Sequence, residues 1–148
     1  MLTQKDQEHI WHPFTQAKIA PSPIEVISAS GSYLFTKNGS LFDGISSWWT
    51  SSHGHCHPHI QQAISEQVKK LDHVIFANFT HEPAVKLAEM LKEVAPKNLT
   101  RVFYSDNGST AVEVAIKMAF QYWQHKGENR PYFICLKDGY HGDTFGAM

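Results

Sequence analysis

The chain has 148 residues, a formal net charge of −1 with histidine neutral, and an apolar fraction of 42% against 18% charged. The near-neutral balance excludes a basic nucleic-acid-binding face, and no apolar run approaches the roughly 18 residues of a membrane span. A chain of this length can hold a real core and bury roughly 70% of the surface its unfolded form exposes. The start "MLTQKDQEHIW" has no apolar signal-peptide core. With two cysteines, Cys56 and Cys135, and no disulfide framework, the composition reads as a reduced, cytoplasmic protein. Cys135 falls inside the apolar run "YFICL", where a small buried hydrophobe fits.

In chain order, a short helix is predicted over Gln4 to Ile10, followed by the Pro-containing loop "APSP". "IEVISAS" and "SYLFT" read as strands joined by a turn, and "KNG" leads to a third short strand around Leu41 and Phe42. The loop "DGISSWWTSSHGHCHPH" is rich in Ser, Gly and His, and Pro58 can open the next helix. Ile60, Ile64, Val68 and Leu71 recur there at helical spacing. A second helix is predicted from an N-cap near Thr80, with Ala84, Leu87, Ala88, Leu91 and Val94 on one face. "RVFYS" and "YFICL" read as strands flanking the apolar helix "TAVEVAIKMAFQYWQ", expected to be buried. Strand, helix, strand implies a parallel sheet covered by helices, so the fold class is α/β: a small β-meander, then the opening of a doubly covered sheet.

Two loops at the carboxyl ends of those strands attract attention, because ligands of open α/β sheets bind there. In "SDNGSTAVE" the N–H groups of Gly108, Ser109 and Thr110 open a helix and could hold a phosphate. The plain alternative is a capping box between Thr110 and Glu113, which needs no ligand. In "GYHGDT", Tyr140 could stack on a flat ring or merely plug the sheet edge. The pair Trp48 and Trp49 reads equally as a loop anchor, one indole buried, or as a pocket wall. "HGHCHPH" offers His53, His55, His57, His59 and Cys56 as ligand types. Gly54 and Pro58 argue against the strand that would bring alternate imidazoles together, so these residues are expected to satisfy their own loop and the helix start rather than a metal.

Together "WHPFTQ", "DGISSWW", "HGHCHP", "SDNGSTAVEVAIKMA", "QYWQHKG" and "GYHGDTFGAM" resemble class III pyridoxal-phosphate aminotransferases of fold type I, from Trp11 to Met148. "WHPFTQ" and the double tryptophan point to the biotin-pathway members. The resemblance implies transfer of an amino group from S-adenosylmethionine to 8-amino-7-oxononanoate, giving 7,8-diaminononanoate, by a homodimer that uses pyridoxal 5'-phosphate. It implies that Gly108, Ser109 and Thr110 hold the cofactor phosphate, with Tyr140 over its ring and His141 beside it. It also implies that Phe14, Trp48 and Trp49 line the substrate pocket. Phe14 stands where the family often has tyrosine, which keeps the stacking face and drops the hydroxyl.

By the same resemblance, residues 1–52 belong to the small domain and 53–148 open the large, cofactor-binding one. Members of the family are much longer, and no lysine here matches their Schiff-base motif. The resemblance therefore implies an N-terminal fragment, inactive alone. Two other readings stay open: another class III omega-aminotransferase, or a non-catalytic binding module.

Overall fold

The computed structural model describes all 148 residues, which fall into two compact units, Met1–Ile75 and Phe76–Met148. The first unit opens with α1 (Leu2–His9), closed by the Ile10 N–H on the Asp6 carbonyl. It begins two residues before the predicted start. The meander follows as expected: β1 (Val26–Ser30), β2 (Tyr33–Thr36) and β3 (Gly39–Phe42) pair antiparallel in the order β1-β2-β3. Tyr33 stands opposite Phe42, and their rings meet edge to face at 5.7 Å. Such cross-strand aromatic pairs fix register in a short sheet.

Beyond β3 lies α2 (Ser46–Trp49), a single turn whose residues all have positive φ, so it winds left-handed. The chain then returns to the meander. Gly31 and His55 form an antiparallel bridge, with His55 N–H to Gly31 O at 2.7 Å and Gly31 N–H to His55 O at 3.0 Å. A Cβ on Gly54 would lie 3.1 Å from the Gly31 Cα, and its φ is +83°, so glycine is required at this approach. Pro58 starts α3 (Pro58–Lys70), as its fixed φ and missing N–H favour.

In the second unit, α4 (Glu82–Val94) is capped by His81, whose Nδ1 accepts the Ala84 N–H at 3.4 Å. Thr80, the expected cap, lies one residue outside. The Tyr104 hydroxyl donates to the Ala84 carbonyl at 2.6 Å, and Phe76 packs edge-on against both His81 and Tyr104. This aromatic cluster holds the start of α4. The last helix, α5 (Gly108–His125), is followed by Gly127 at φ +73°, and the Arg130 guanidinium lies over the Trp123 ring at 3.5 Å.

The predicted strands "RVFYS" and "YFICL" run on either side of α5 but join no ladder. Strands consecutive in sequence need not be neighbours in a parallel sheet, and without neighbours their N–H and C=O groups find no ladder partner. Most of their apolar side chains lie open, Ile134 completely so, and Cys135 is exposed rather than buried. The helix expected to be buried, α5, contains no buried residue.

The same holds throughout. Ala84 and Ala147 are the buried apolar side chains. The chain exposes 13401 Å², against roughly 7,700 Å² for a compact monomer of its mass. It thus buries about 45% of its unfolded surface rather than the expected 70%.

Candidate functional site

The first candidate lies at the start of α5. Asn107 has extended backbone and caps the helix, its Oδ1 accepting the Thr110 N–H at 3.0 Å, while the Thr110 hydroxyl accepts the Asn107 N–H at 3.1 Å. The reciprocal box is therefore Asn107 with Thr110, one turn earlier than the predicted pairing of Thr110 with Glu113. Asn107 wins because it sits at the extended residue before the helix, where a side-chain acceptor meets the third helical N–H. The Thr110 N–H is consumed by the cap. The N–H groups of Gly108 and Ser109 are left without a protein partner.

Ser109 does double duty. Its Oγ accepts the Asp143 N–H at 3.0 Å, and its carbonyl faces the Thr144 hydroxyl at 3.3 Å. The Ser109 hydroxyl also bonds the Tyr140 oxygen, a contact that draws the Tyr140 pKa down against the larger effect of Asp143. A Cβ built on Gly108 meets nothing within 4 Å, so open space lies beside the two free N–H groups. An anion fits such a place by helix dipole and donor geometry.

The loop after Leu136 is fastened to α5 by Glu113. Its Oε2 accepts the Thr144 hydroxyl at 2.7 Å and the Gly146 N–H at 2.9 Å. The sequence pattern offers Glu113 only a capping role; its spacing of one helical turn from Ser109 is the signal that both face the same loop. Tyr140 is largely exposed, and its hydroxyl donates to Asp143 Oδ2 at 2.6 Å. That bond to Asp143 raises the Tyr140 pKa above the ordinary phenol value, so the phenol stays protonated at neutral pH. His141 is exposed, its Nε2 lying 3.0 Å from where a Cβ on Gly139 would stand.

The second candidate lies in the first unit. Phe14, itself at φ 52°, meets Trp48 edge to face at 5.1 Å. Neither indole serves as a buried anchor: Trp48 is 58% and Trp49 83% exposed. Trp11 and His12, from the same "WHPFTQ" stretch, instead line a groove of about 710 Å³ with α1, where His12 Nε2 pairs with Asp6 Oδ2 at 2.7 Å.

The left-handed turn under Trp48 and Trp49 is costly, about 1–2 kcal/mol for each of its non-glycine residues. Asp43 answers it. Its Oδ1 accepts the N–H groups of Ile45 at 3.3 Å and Ser47 at 3.0 Å, and its Oδ2 accepts the Ser47 hydroxyl at 2.7 Å. His55 Nε2 joins the same oxygen at 2.7 Å.

These contacts, the Ser47 N–H first and then the Ser47 hydroxyl and His55, hold the Asp43 carboxyl well below the usual carboxylate range. A depressed folded-state pKa stabilises fully above the unfolded value, near 4, and that contribution fades as pH falls from there toward the folded value. Tryptophan fluorescence from the turn is therefore expected to change as pH falls below about 4 and this contribution fades. Asp43→Asn should remove this acid transition, and an identical acid profile in the variant would refute the assignment to Asp43.

Residues 15–148 match the class-III aminotransferase family. The chain belongs to that family. Class-III aminotransferases depend on pyridoxal phosphate.

The adenosylmethionine-8-amino-7-oxononanoate aminotransferase of Synechococcus elongatus is 54% identical over 141 residues, covering 95% of this chain and 33% of that enzyme. The enzyme of the same name from Buchnera aphidicola subsp. Baizongia pistaciae is 49% identical over 145 residues, 97% of this chain and 34% of its own length. A crystal structure under that name from Methanocaldococcus jannaschii superposes with a TM-score of 0.92 at 41% identity, over 99% of this chain and 34% of that one. An omega transaminase from Pseudomonas jessenii, solved in complex with PMP, gives 0.91 at 28% identity, over 97% and 33%. The chain thus spans about a third of the length of the curated relatives it matches. The backbone follows the N-terminal part of a pyridoxal-phosphate-dependent transferase, although its two α5-flanking strands stay unpaired within these residues.

Proposed function

We propose that this chain is the N-terminal part of an aminotransferase that moves an amino group from S-adenosylmethionine to 8-amino-7-oxononanoate. The product would be 7,8-diaminononanoate for biotin synthesis. The relatives at 54% and 49% identity support this substrate pair through their names. Residues 1–52 would serve the small domain and 53–148 the large one, in a cytoplasmic homodimer. No helix is long and apolar enough to cross a membrane.

The observation that carries a cofactor site is the seam between Ser109 and the 142–146 loop. It sets two free N–H groups and open space beside the segment bearing Tyr140. Gly108 and Ser109 would hold the phosphate of pyridoxal phosphate through backbone N–H groups. Thr110 would act from behind, through the cap that orients the first turn. Tyr140 would cover the ring and His141 would stand beside it, while Asp143 holds the Tyr140 hydroxyl in place. When bound, the cofactor supplies the electron-withdrawing ring that amino-group transfer requires. Phe14, Trp48 and Trp49 would form an aromatic wall for the substrate, excluding water from one side of it.

An NMR titration with inorganic phosphate tests the site without any turnover. The Gly108 and Ser109 amides are expected to shift, with affinity around millimolar, or about −4 kcal/mol. Gly108→Val should abolish the shift. Because a Cβ there meets nothing, the variant keeps the helix and only fills the anion's space. Amides that stay still in the folded wild-type chain would overturn the assignment.

A further inference from the structure

We propose that Asp43 and His55 form a positioning pair that fixes the left-handed turn Ser46–Trp49, and so sets where Trp48 and Trp49 stand. The importance of that placement rests on the substrate-wall reading above; the pair itself rests on geometry.

Four successive non-glycine residues, Ser46, Ser47, Trp48 and Trp49, have φ of 49°, 46°, 56° and 66°. Nothing in their own side chains favours that backbone, and such runs persist only where the surroundings over-determine them. Backbone bonds close the turn, Trp49 N–H to Ile45 O at 3.0 Å and Ser51 N–H to Ser46 O at 2.9 Å, and the side chain that holds it from outside is one carboxylate. Asp43 gathers the N–H groups of Ile45 and Ser47 on one oxygen, and the Ser47 hydroxyl and His55 Nε2 on the other. With its proton on Nε2, His55 donates to Asp43 and fixes the rotation of the carboxylate, and with it which oxygen faces the turn.

His55 is itself immobilised. Its backbone is bonded in both directions to Gly31, and Gly54 lies too close to Gly31 to carry a side chain. A continuous chain of contacts therefore runs from the meander through His55, Asp43 and Ser47 to Trp48, and on to the Phe14 ring.

Exposure sorts the same residues by role. The Asp43 and His55 side chains are 5% and 15% exposed, whereas Trp48 and Trp49 face outward. The enclosed pair holds, and the exposed pair is presented. The other histidines of "HGHCHPH" have no such link: His53 meets Ser52 at 3.2 Å and the edge of the His57 ring. Of the alternating histidines, His55 alone carries this role.

The test uses the 148-residue chain with 15N-labelled indoles, of which it has four, so that Trp11 and Trp123 serve as internal controls. His55→Ala is expected to shift or broaden the Trp48 and Trp49 Nε1–H signals and to leave the other two in place. His55→Gln should restore them, because a glutamine amide nitrogen can reach the place of Nε2 and donate to Asp43. His53→Ala should change nothing. Unmoved Trp48 and Trp49 signals in His55→Ala would overturn the proposal. Should His55→Ala lose its helical circular dichroism, His55→Gln decides: native indole signals support the pair, and a second unfolded variant overturns it.

In a full-length enzyme carrying this segment, His55→Ala is expected to raise KM for the amine donor roughly ten-fold or more, with kcat and the cofactor absorption band retained. Loss of the band with KM unchanged would count against it. If the wild-type enzyme turns over no amine donor, the functional reading fails, and the indole signals still decide the positioning pair.

Discussion

Gly142→Ala is expected to destabilise the second unit by roughly 2–6 kcal/mol, combining a backbone strain and an overpacking cost. It should also abolish phosphate binding at the start of α5. Gly142 has φ +141°, a region L side chains rarely enter, and an added Cβ would lie 2.8 Å from Ser109 Cα and 2.9 Å from Ser109 Oγ. The first of these is backbone and cannot swing aside. The loop would have to lift, breaking the bond from Asp143 N–H to Ser109 Oγ and moving Tyr140 with it.

Gly146→Ala makes a graded comparison. Its Cβ would lie 2.8 Å from Glu113 Oε2, the far end of a side chain that can rotate away. The loss there is the two hydrogen bonds of Glu113, about 1–3 kcal/mol together. Urea unfolding of both variants, followed by phosphate titration, gives the readout. Equal midpoints for wild type and Gly142→Ala would show that the loop does not press on Ser109.

The isolated chain is expected to self-associate. Its surface exceeds that of a compact monomer of equal mass by about 5,700 Å², several times the roughly 800 Å² each partner gives to a standard interface. Much of the excess is apolar: Phe103, Tyr132, Ile134, Leu136 and Phe145 are among the open side chains, as are Leu87, Leu91 and Met118 on the helices. Monomeric proteins rarely leave such patches uncovered. Light scattering across a concentration series should show a dimer or larger species, and a hydrophobic dye should fluoresce strongly on it. A monomer at high concentration with no dye signal would mean that this surface is covered in solution.

Local chemistry was enough to read much of the molecule. The three strands of the meander, Pro58 at the first position of α3, and the course of α4 and α5 follow from alternation, helical spacing and proline geometry. The loops "DNGST" and "GYHGDT" stood out as a pair, and Ser109 does meet the second of them. Thr80 gave way to His81, and Glu113 to Asn107, because a cap depends on which residue turns extended, not on spacing alone.

The apolar patterns of "YFICL" and α5 signalled burial that does not occur. Periodicity reports which face an element would bury, and the neighbour that covers it has to come from elsewhere in the fold. Only the tertiary structure decided the rest. Handedness of the turn "ISSWW" is set by a carboxylate reaching back from Asp43 rather than by any propensity of Ser or Trp. Selection of His55 from four similar histidines is set by one backbone bridge to Gly31. Sequence by itself determined the elements and the kinds of chemistry they carry. Long-range hydrogen bonds, over separations no local pattern encodes, determined which groups are held and which are left open for a ligand.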